Sequence, residues 1–311
     1  MQIDSIFQIL IQHDGQCPDV LPERIAKNVA SVRRLYPTAK HHLFGGDQIR
    51  AFLEDNFDPR ILAAYDILLP YAFKADLARL CLLYKFGGLY VDLGVWMMEA
   101  PQIPADKAIV VFRDQYVPGG AAWAVSNGLI YAAPGRAELK LAIDLIVENV
   151  ETRNYGADVQ TISGPALFGR VFAMANDLAH YWIGDSRLVT FEGGDAPRMS
   201  FIAPDGRLIA WRAKSVDADL THLGLAQTNN YSQIYDSHMA FGETTPAYAP
   251  LFARLPWRLE LEIAKLLCTL GLKNDGTYLW GRALTRRSRA AKEPASAPSR
   301  GTDWAKRPPS V

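Results

Sequence analysis

Apolar positions along the chain fall into blocks that switch between two periods. Ile6 to Gln12 is a β-prone apolar run, which predicts a buried strand. Pro22 to Leu35 changes to a helical period, with Ile25, Val29 and Val32 at i+4 and i+3 spacing, and Pro37 ends it. His41 to Phe44 predicts a short second strand. Asp47 is placed to cap a helix carrying Ile49, Phe52 and Leu53, and another helix covers residues 59–68. Further along, 108–112 and 127–131 read as strands. Residues 138–150 and 165–178 read as helices, the second opened by Gly164-Pro165. Strands alternating with helices predict an α/β domain with a mostly parallel sheet.

The C-terminal part follows other patterns. Residues 191–250 are rich in Gly, Pro, Asn and Tyr and read as mostly irregular loops covering a site. Residues 255–270 predict an amphipathic helix. Trp257, Leu259, Ile263, Leu266 and Leu267 are apolar, while Arg258, Glu260, Glu262 and Lys265 are not. Such a helix packs on the core or lies on a membrane surface, so peripheral membrane contact through 255–310 is one expectation. From Thr285 the chain is Ser, Ala, Pro and Arg rich, which reads as a disordered basic tail. The expected division is the α/β domain over 1–250, a helical segment over 251–284 and the tail over 285–311.

Composition narrows the function classes. The chain has 311 residues, 49% of them hydrophobic, enough for a sizeable core. The formal net charge is zero, which gives no reason to expect a nucleic-acid partner. Cys17, Cys81 and Cys268 are far apart, with neither metal-binding spacing nor a paired framework, and this fits a reducing, cytoplasmic compartment. The opening MQIDSIFQILIQHDG lacks a basic lead and a small-residue cleavage site, so it reads as a strand rather than a signal peptide. No apolar run approaches the roughly 20 residues needed to span a bilayer. No HExxH, GxGxxG, GxxxxGK or GxSxG fingerprint occurs.

The stretch KADLARLCLLYKFGGLYVDLGV, residues 74–95, carries the chemistry. Wound as a helix, residues 72–85 place Asp76 inside an arc of Ala72, Phe73, Leu77, Leu80, Cys81, Leu83 and Tyr84, with Arg79 at its margin. A carboxylate so placed costs several kcal/mol unless it is paired or hydrogen-bonded. Arg79, at i+3, is within reach. Two readings stand on this geometry: a structural ion pair stitching helix to sheet, or a pair facing a cleft and a polar ligand. Gly87-Gly88 ends the helix. Leu89 to Val95 then alternates as a strand, with Tyr90, Asp92, Gly94 and Trp96 on one side. An acid near a strand's carboxyl end suits a ligand site; it also suits a turn or a helix cap.

Taken together, Asp76, Arg79, Tyr84, Gly87, Gly88, Tyr90 and Asp92 in one register resemble the glycosyltransferases with a DXD sugar-binding region. These are the mannosyltransferase and capsular-polysaccharide type, related to the clostridial toxin glucosyltransferase domains. Asn28 to Pro37, Asn127 and Ser163-Gly164-Pro165 resemble further family features. The resemblance covers roughly residues 3–240. It implies a GT-A-like fold, a Rossmann-type mixed sheet flanked by helices. It implies a UDP- or GDP-sugar donor, a polysaccharide, glycolipid or other glycan acceptor in cell-envelope synthesis, and hexosyl transfer with retention. Asp92 and Arg79 become the catalytic candidates. Asp76, Arg79, Gly87, Gly88, Tyr90, Asp92 and Asn127 become the donor-binding ones.

One departure stands out. The third DXD position, normally a second acid on Mn2+ or Mg2+, is Gly94. Three outcomes follow. The metal is held by Asp92 and a ligand from the C-terminal loops, with Asp236 and His238 the leading candidates and Asn229 and Asn230 behind them. Or Arg or Lys supplies the positive charge instead. Or the protein is a non-catalytic nucleotide-sugar-binding partner in a polysaccharide synthesis complex.

Overall fold

The computed structural model describes residues 2–115, 123–175, 178–191, 197–213, 223–225, 228–242 and 255–269. The chain runs β1 (Ser5–Leu10), α1 (Glu23–Leu35), β2 (Lys40–Gly45), α2 (Gly46–Asn56), α3 (Pro59–Ile67), α4 (Tyr71–Phe86), β3 (Gly88–Val91) and β4 (Val95–Met97). It continues through β5 (Ile109–Asp114), β6 (Val125–Ala132), α5 (Ala137–Glu151), α6 (Pro165–Met174), β7 (Tyr181–Val189), β8 (Arg198–Ile202), β9 (Leu208–Arg212), α7 (Tyr231–Asp236) and α8 (Trp257–Thr269).

Nine strands among the described residues form one mixed sheet, in the order β2-β1-β3-β6-β5-β7-β8-β9-β4. The α/β class expected from the sequence holds. The mostly parallel sheet does not: β1 pairs in parallel with β2 and β3, and β5 with β7, while the remaining pairs are antiparallel. β3 and β4 are consecutive in sequence and separated only by Asp92, Leu93 and Gly94. In the sheet five strands stand between them. Three residues span at most about 11 Å, so the sheet curls until β4, paired to β9, returns to the end of β3.

The curl encloses one apolar cluster, with Ile6, Val32, Leu89, Val91, Phe112 and Phe201 among its members. The other face of β1, β3 and β6 packs under α2 to α6, where Phe7, Leu77, Leu80, Tyr90, Ile143 and Phe168 meet. α4 lies in this second layer and is covered on both sides. Ala78 and Leu82, which fall outside the apolar arc around Asp76, are fully buried, as α3 and α5 also pack against α4.

Several expectations from sequence are corrected. The strand 89–95 is two strands, broken at Asp92. The helix expected over 165–178 stops at Met174. β8 and β9 fill part of the region 191–250 read as irregular, and β7 lies just before it in a stretch given no element from sequence. Their inward positions include Gly184, Ser186 and Ser200, small or polar residues that hide the alternation. Asp47 is not the cap of α2; Gly45 is, and Gln48 Oε1 accepts from its N–H at 2.9 Å. α8 forms as expected, but it turns Glu260 and Ala264 inward and leaves Leu259 and Leu266 about half exposed. The expectations for residues 270–311, the basic tail included, lie outside the described residues. Among those described, no helix is long and apolar enough to cross a membrane.

Candidate active site

Why Asp76 and Asp92 meet follows from the lengths of two elements. Ten residues of α4 after Asp76 run about 15 Å to Phe86. Gly87, at φ +65°, and Gly88, at φ +109°, then reverse the chain, and four extended residues carry it about 13 Å back. Asp92, the first residue past β3, therefore arrives beside the helix turn that bears Asp76.

Arg79 joins them. Its Nη2 lies 3.1 Å from Asp76 Oδ1 and its Nη1 3.2 Å from Asp92 Oδ1. Its Nε donates to the Ala75 carbonyl and Nη1 also donates to the Asn127 carbonyl. The guanidinium stacks on the Tyr90 ring, 4.5 Å from the centroid. The Tyr90 hydroxyl donates to Asp92 Oδ1 at 2.8 Å. Asp76 receives two further donors: Asn127 Nδ2 on Oδ1 at 2.7 Å and the Ser163 hydroxyl on Oδ2 at 2.8 Å. Burial alone would push the Arg79 pKa down, but Tyr90, Asp92 and Asp76 outweigh this and hold it above the usual arginine value. Burial, countered by Arg79 and reinforced by Asp92, keeps the Tyr90 phenol well above its ordinary pKa, so it stays a donor.

The two carboxylates differ in accessibility. The Asp76 side chain is 9% exposed and both its oxygens are engaged by the protein. The Asp92 side chain is 33% exposed. Asp92 Oδ2 faces Gly128 on β6, where an added Cβ would lie 2.8 Å from it and 3.3 Å from Arg212 Nη2. Only a residue without a side chain at 128 lets this acid and base approach the same backbone point. Arg212 ends β9 and is bound by Ser126 Oγ, which accepts from Nη2 at 2.8 Å. Tyr231 of α7 lies within electrostatic reach of Arg212 and Asp76; its phenol pKa is raised chiefly by burial, against the Ser232 hydrogen bond and the Arg212 charge, which lower it.

Arg212, Ser126, Gly128 and Tyr231 were not singled out as site residues by sequence reasoning, and Ser163 was read only as part of a turn. Arg212 reaches the site through the pairing of β9 with β4, which no local period reveals. Ser163 had a signal, the Ser-Gly-Pro turn, but no indication of its partner.

Other candidates fall elsewhere. Gly87 and Gly88 lie at the opposite end of β3 from Asp92. A Cβ on Gly87 would come within 2.6 Å of Pro134 Cδ, and one on Gly88 within 2.6 Å of the Ser5 carbonyl. Their backbone approaches the fold's own chain. Asn229 clamps the start of α4, accepting from Tyr71 N–H and donating to the Leu69 carbonyl, both at 2.9 Å. Asn230 caps α7. His238 is buried with its ring 4.5 Å from that of Tyr155, and Asp236 is exposed at the end of α7. A groove of about 630 Å³ lined by Arg60, Tyr84, Lys140 and Glu151 includes none of the site residues.

Residues 22–109 match the family described as the glycosyltransferase sugar-binding region containing a DXD motif. This segment is similar to the DXD-type sugar-binding region of glycosyltransferases. An uncharacterised glycosyltransferase of Acanthamoeba polyphaga mimivirus is 36% identical over 149 residues, 48% of this chain and 57% of that relative. The chain thus spans little more than half the length of the curated relative it matches. The solved PaToxG glycosyltransferase is 20% identical, with a TM-score of 0.42, over 55% of this chain and 69% of that one.

A DXD sugar-binding region usually implies a divalent cation, and the described residues do not fit one. No group of three or more His, Cys, Asp or Glu is placed to hold a metal among them, so Asp92, Asp236 and His238 do not form a ligand set. Position 94 offers no side chain. Asp92 Oδ1 is occupied by Arg79 and Tyr90, and Oδ2 lies beside the bare Gly128 backbone with the Arg212 guanidinium close by. A hard cation such as Mg2+ or Mn2+ takes about six oxygen ligands. This part of the sugar-binding region presents one free carboxylate oxygen between two fixed positive charges.

Proposed function

We propose that the protein is a glycosyltransferase that moves a sugar from a nucleoside-diphosphate sugar to a glycan or glycolipid acceptor. The observation that carries the reading is the position of Asp92. It is a partly exposed carboxylate just past the carboxyl end of β3, inside the matched sugar-binding region, held by Arg79 and Tyr90 on one oxygen and open on the other. In such a transfer the diphosphate leaves as an anion while positive charge builds at the anomeric carbon. Fixed charges and positioning therefore supply most of the catalysis.

In this reading Asp92 and Arg79 touch the donor, Asp92 at the sugar or ribose hydroxyls. Asp76, Asn127 and Ser163 hold Arg79 in place rather than holding the donor, because Asp76 has no oxygen left over. Tyr90 fixes the orientation of Asp92 and floors the guanidinium. Incubating the chain with UDP- and GDP-sugars and measuring release of the free nucleoside diphosphate tests the reading. Turnover of one sugar nucleotide, lost in Asp92→Ala, is expected. A donor that binds without turnover would make the chain a binding partner instead.

A further inference from the structure

We propose that Arg212 binds the donor's diphosphate directly, so that this site uses a guanidinium where a second DXD acid would have used a divalent cation. The inference rests on the glycosyltransferase reading and deepens it.

Three observations place Arg212 in that role. First, it is in strand register with the departure. β9 pairs with β4 so that Arg212 stands opposite Val95, and Ala213 N–H donates to the Gly94 carbonyl at 2.7 Å. The residue that breaks the DXD pattern and the base that answers it are fixed side by side by backbone hydrogen bonds. Second, the guanidinium has donors to spare. Nη2 is spent on Ser126, whereas Nε is buried without any hydrogen-bond partner. A buried guanidinium nitrogen left unpaired is costly, and a phosphate oxygen relieves that cost. Third, base and acid converge on one bare backbone point: a Cβ on Gly128 would lie 3.3 Å from Arg212 Nη2 and 2.8 Å from Asp92 Oδ2, so a donor whose hydroxyls reach the partly exposed Asp92 has its diphosphate within reach of Arg212.

Charge bookkeeping agrees. Asp76 and Asp92 balance Arg79 and Arg212, leaving the four groups neutral. An added dication would sit beside two guanidinium groups with one carboxylate oxygen to hold it, whereas an added diphosphate finds a planar fork suited to its oxygens.

Binding of UDP and GDP to the full chain, measured by calorimetry with excess EDTA and again with Mn2+, tests this. The expected result is equal affinity in both buffers for whichever nucleotide binds. In Arg212→Gln, with an unliganded melting temperature like that of the parent, affinity falls about tenfold or more. Binding that requires Mn2+, or Arg212→Gln binding like the parent in EDTA, overturns the proposal and leaves the glycosyltransferase reading standing. Failure of both nucleotides to bind in either buffer overturns both. Should Arg212→Gln not fold, Arg212→Lys decides, since it keeps the charge and loses the planar fork. Weaker binding in EDTA supports the proposal and unchanged binding overturns it.

Discussion

Asp76 and Asp92, sixteen positions apart, share one guanidinium: Arg79 lies 3.1 Å from the first and 3.2 Å from the second. The pairing is unequal. Asp76 is sealed, with Asn127 and Ser163 completing its hydrogen bonds. Asp92 keeps one oxygen toward open space. The first carboxylate builds the site and the second is left to act in it.

Removing the sealed partner is therefore expected to act on stability. Asp76→Ala leaves a buried Arg79 short of its nearest counter-charge, at a cost of about 3–5 kcal/mol. Asp92→Asn, at a more accessible group that keeps an acceptor for Tyr90, is expected to cost under about 1 kcal/mol while abolishing sugar-nucleotide turnover. Urea denaturation and the nucleotide-release assay, run on both variants, check the contrast. Equal stability losses would reject it.

Ser163→Ala removes a neutral donor from the buried Asp76 carboxylate. A loss of about 1.5–3 kcal/mol is expected, read as a lower urea midpoint with unchanged slope. No loss would mean that Oδ2 finds another donor.

Gly87→Ala and Gly88→Ala separate architecture from ligand binding. Each adds a methyl where the backbone has positive φ and a neighbour lies 2.6 Å away. Destabilisation above about 1 kcal/mol is expected. Nucleotide affinity in the folded fraction should match the parent, and a selective loss of affinity would return both glycines to the donor site.

His41 makes stability depend on pH. Burial, with Arg33 and His42 adding to it, lowers its pKa from 6.5 to about 4. Arg33 Nη2 lies 3.0 Å from Nδ1, which accepts, and Nε2 then donates to Gln8 Oε1 at 2.7 Å. The native imidazole is neutral where the unfolded one takes a proton. Stability is expected to be flat above about pH 6.5 and to fall as pH drops toward 4. His41→Gln should flatten that fall in thermal melts across the window. An unchanged slope would assign it to carboxylates instead.

How much of this was legible beforehand depended on the range of the interactions. Asp76, Arg79 and Asp92 stand out because a helix and a strand have fixed periods, and an acid inside an apolar arc violates one of them. Position 94 stands out by its glycine. Ser163 was visible as a turn but not as a partner, since a hydroxyl fits many environments. Arg212 was invisible because strand order, not spacing, brings it near, and because small inward residues on β7 and β8 hide the strands that carry it round.

The tight link between β3 and β4 has a further meaning for folding. The recognised segment, 22–109, contains both strands but neither β6 nor β9, their antiparallel mates. Expressed alone, it would expose raw β-edges and lack a floor beneath Asp92. The recognised region is thus half of a clasp: Val95 waits for Arg212, more than a hundred residues downstream, and a nascent chain has no competent pocket until that late strand has docked.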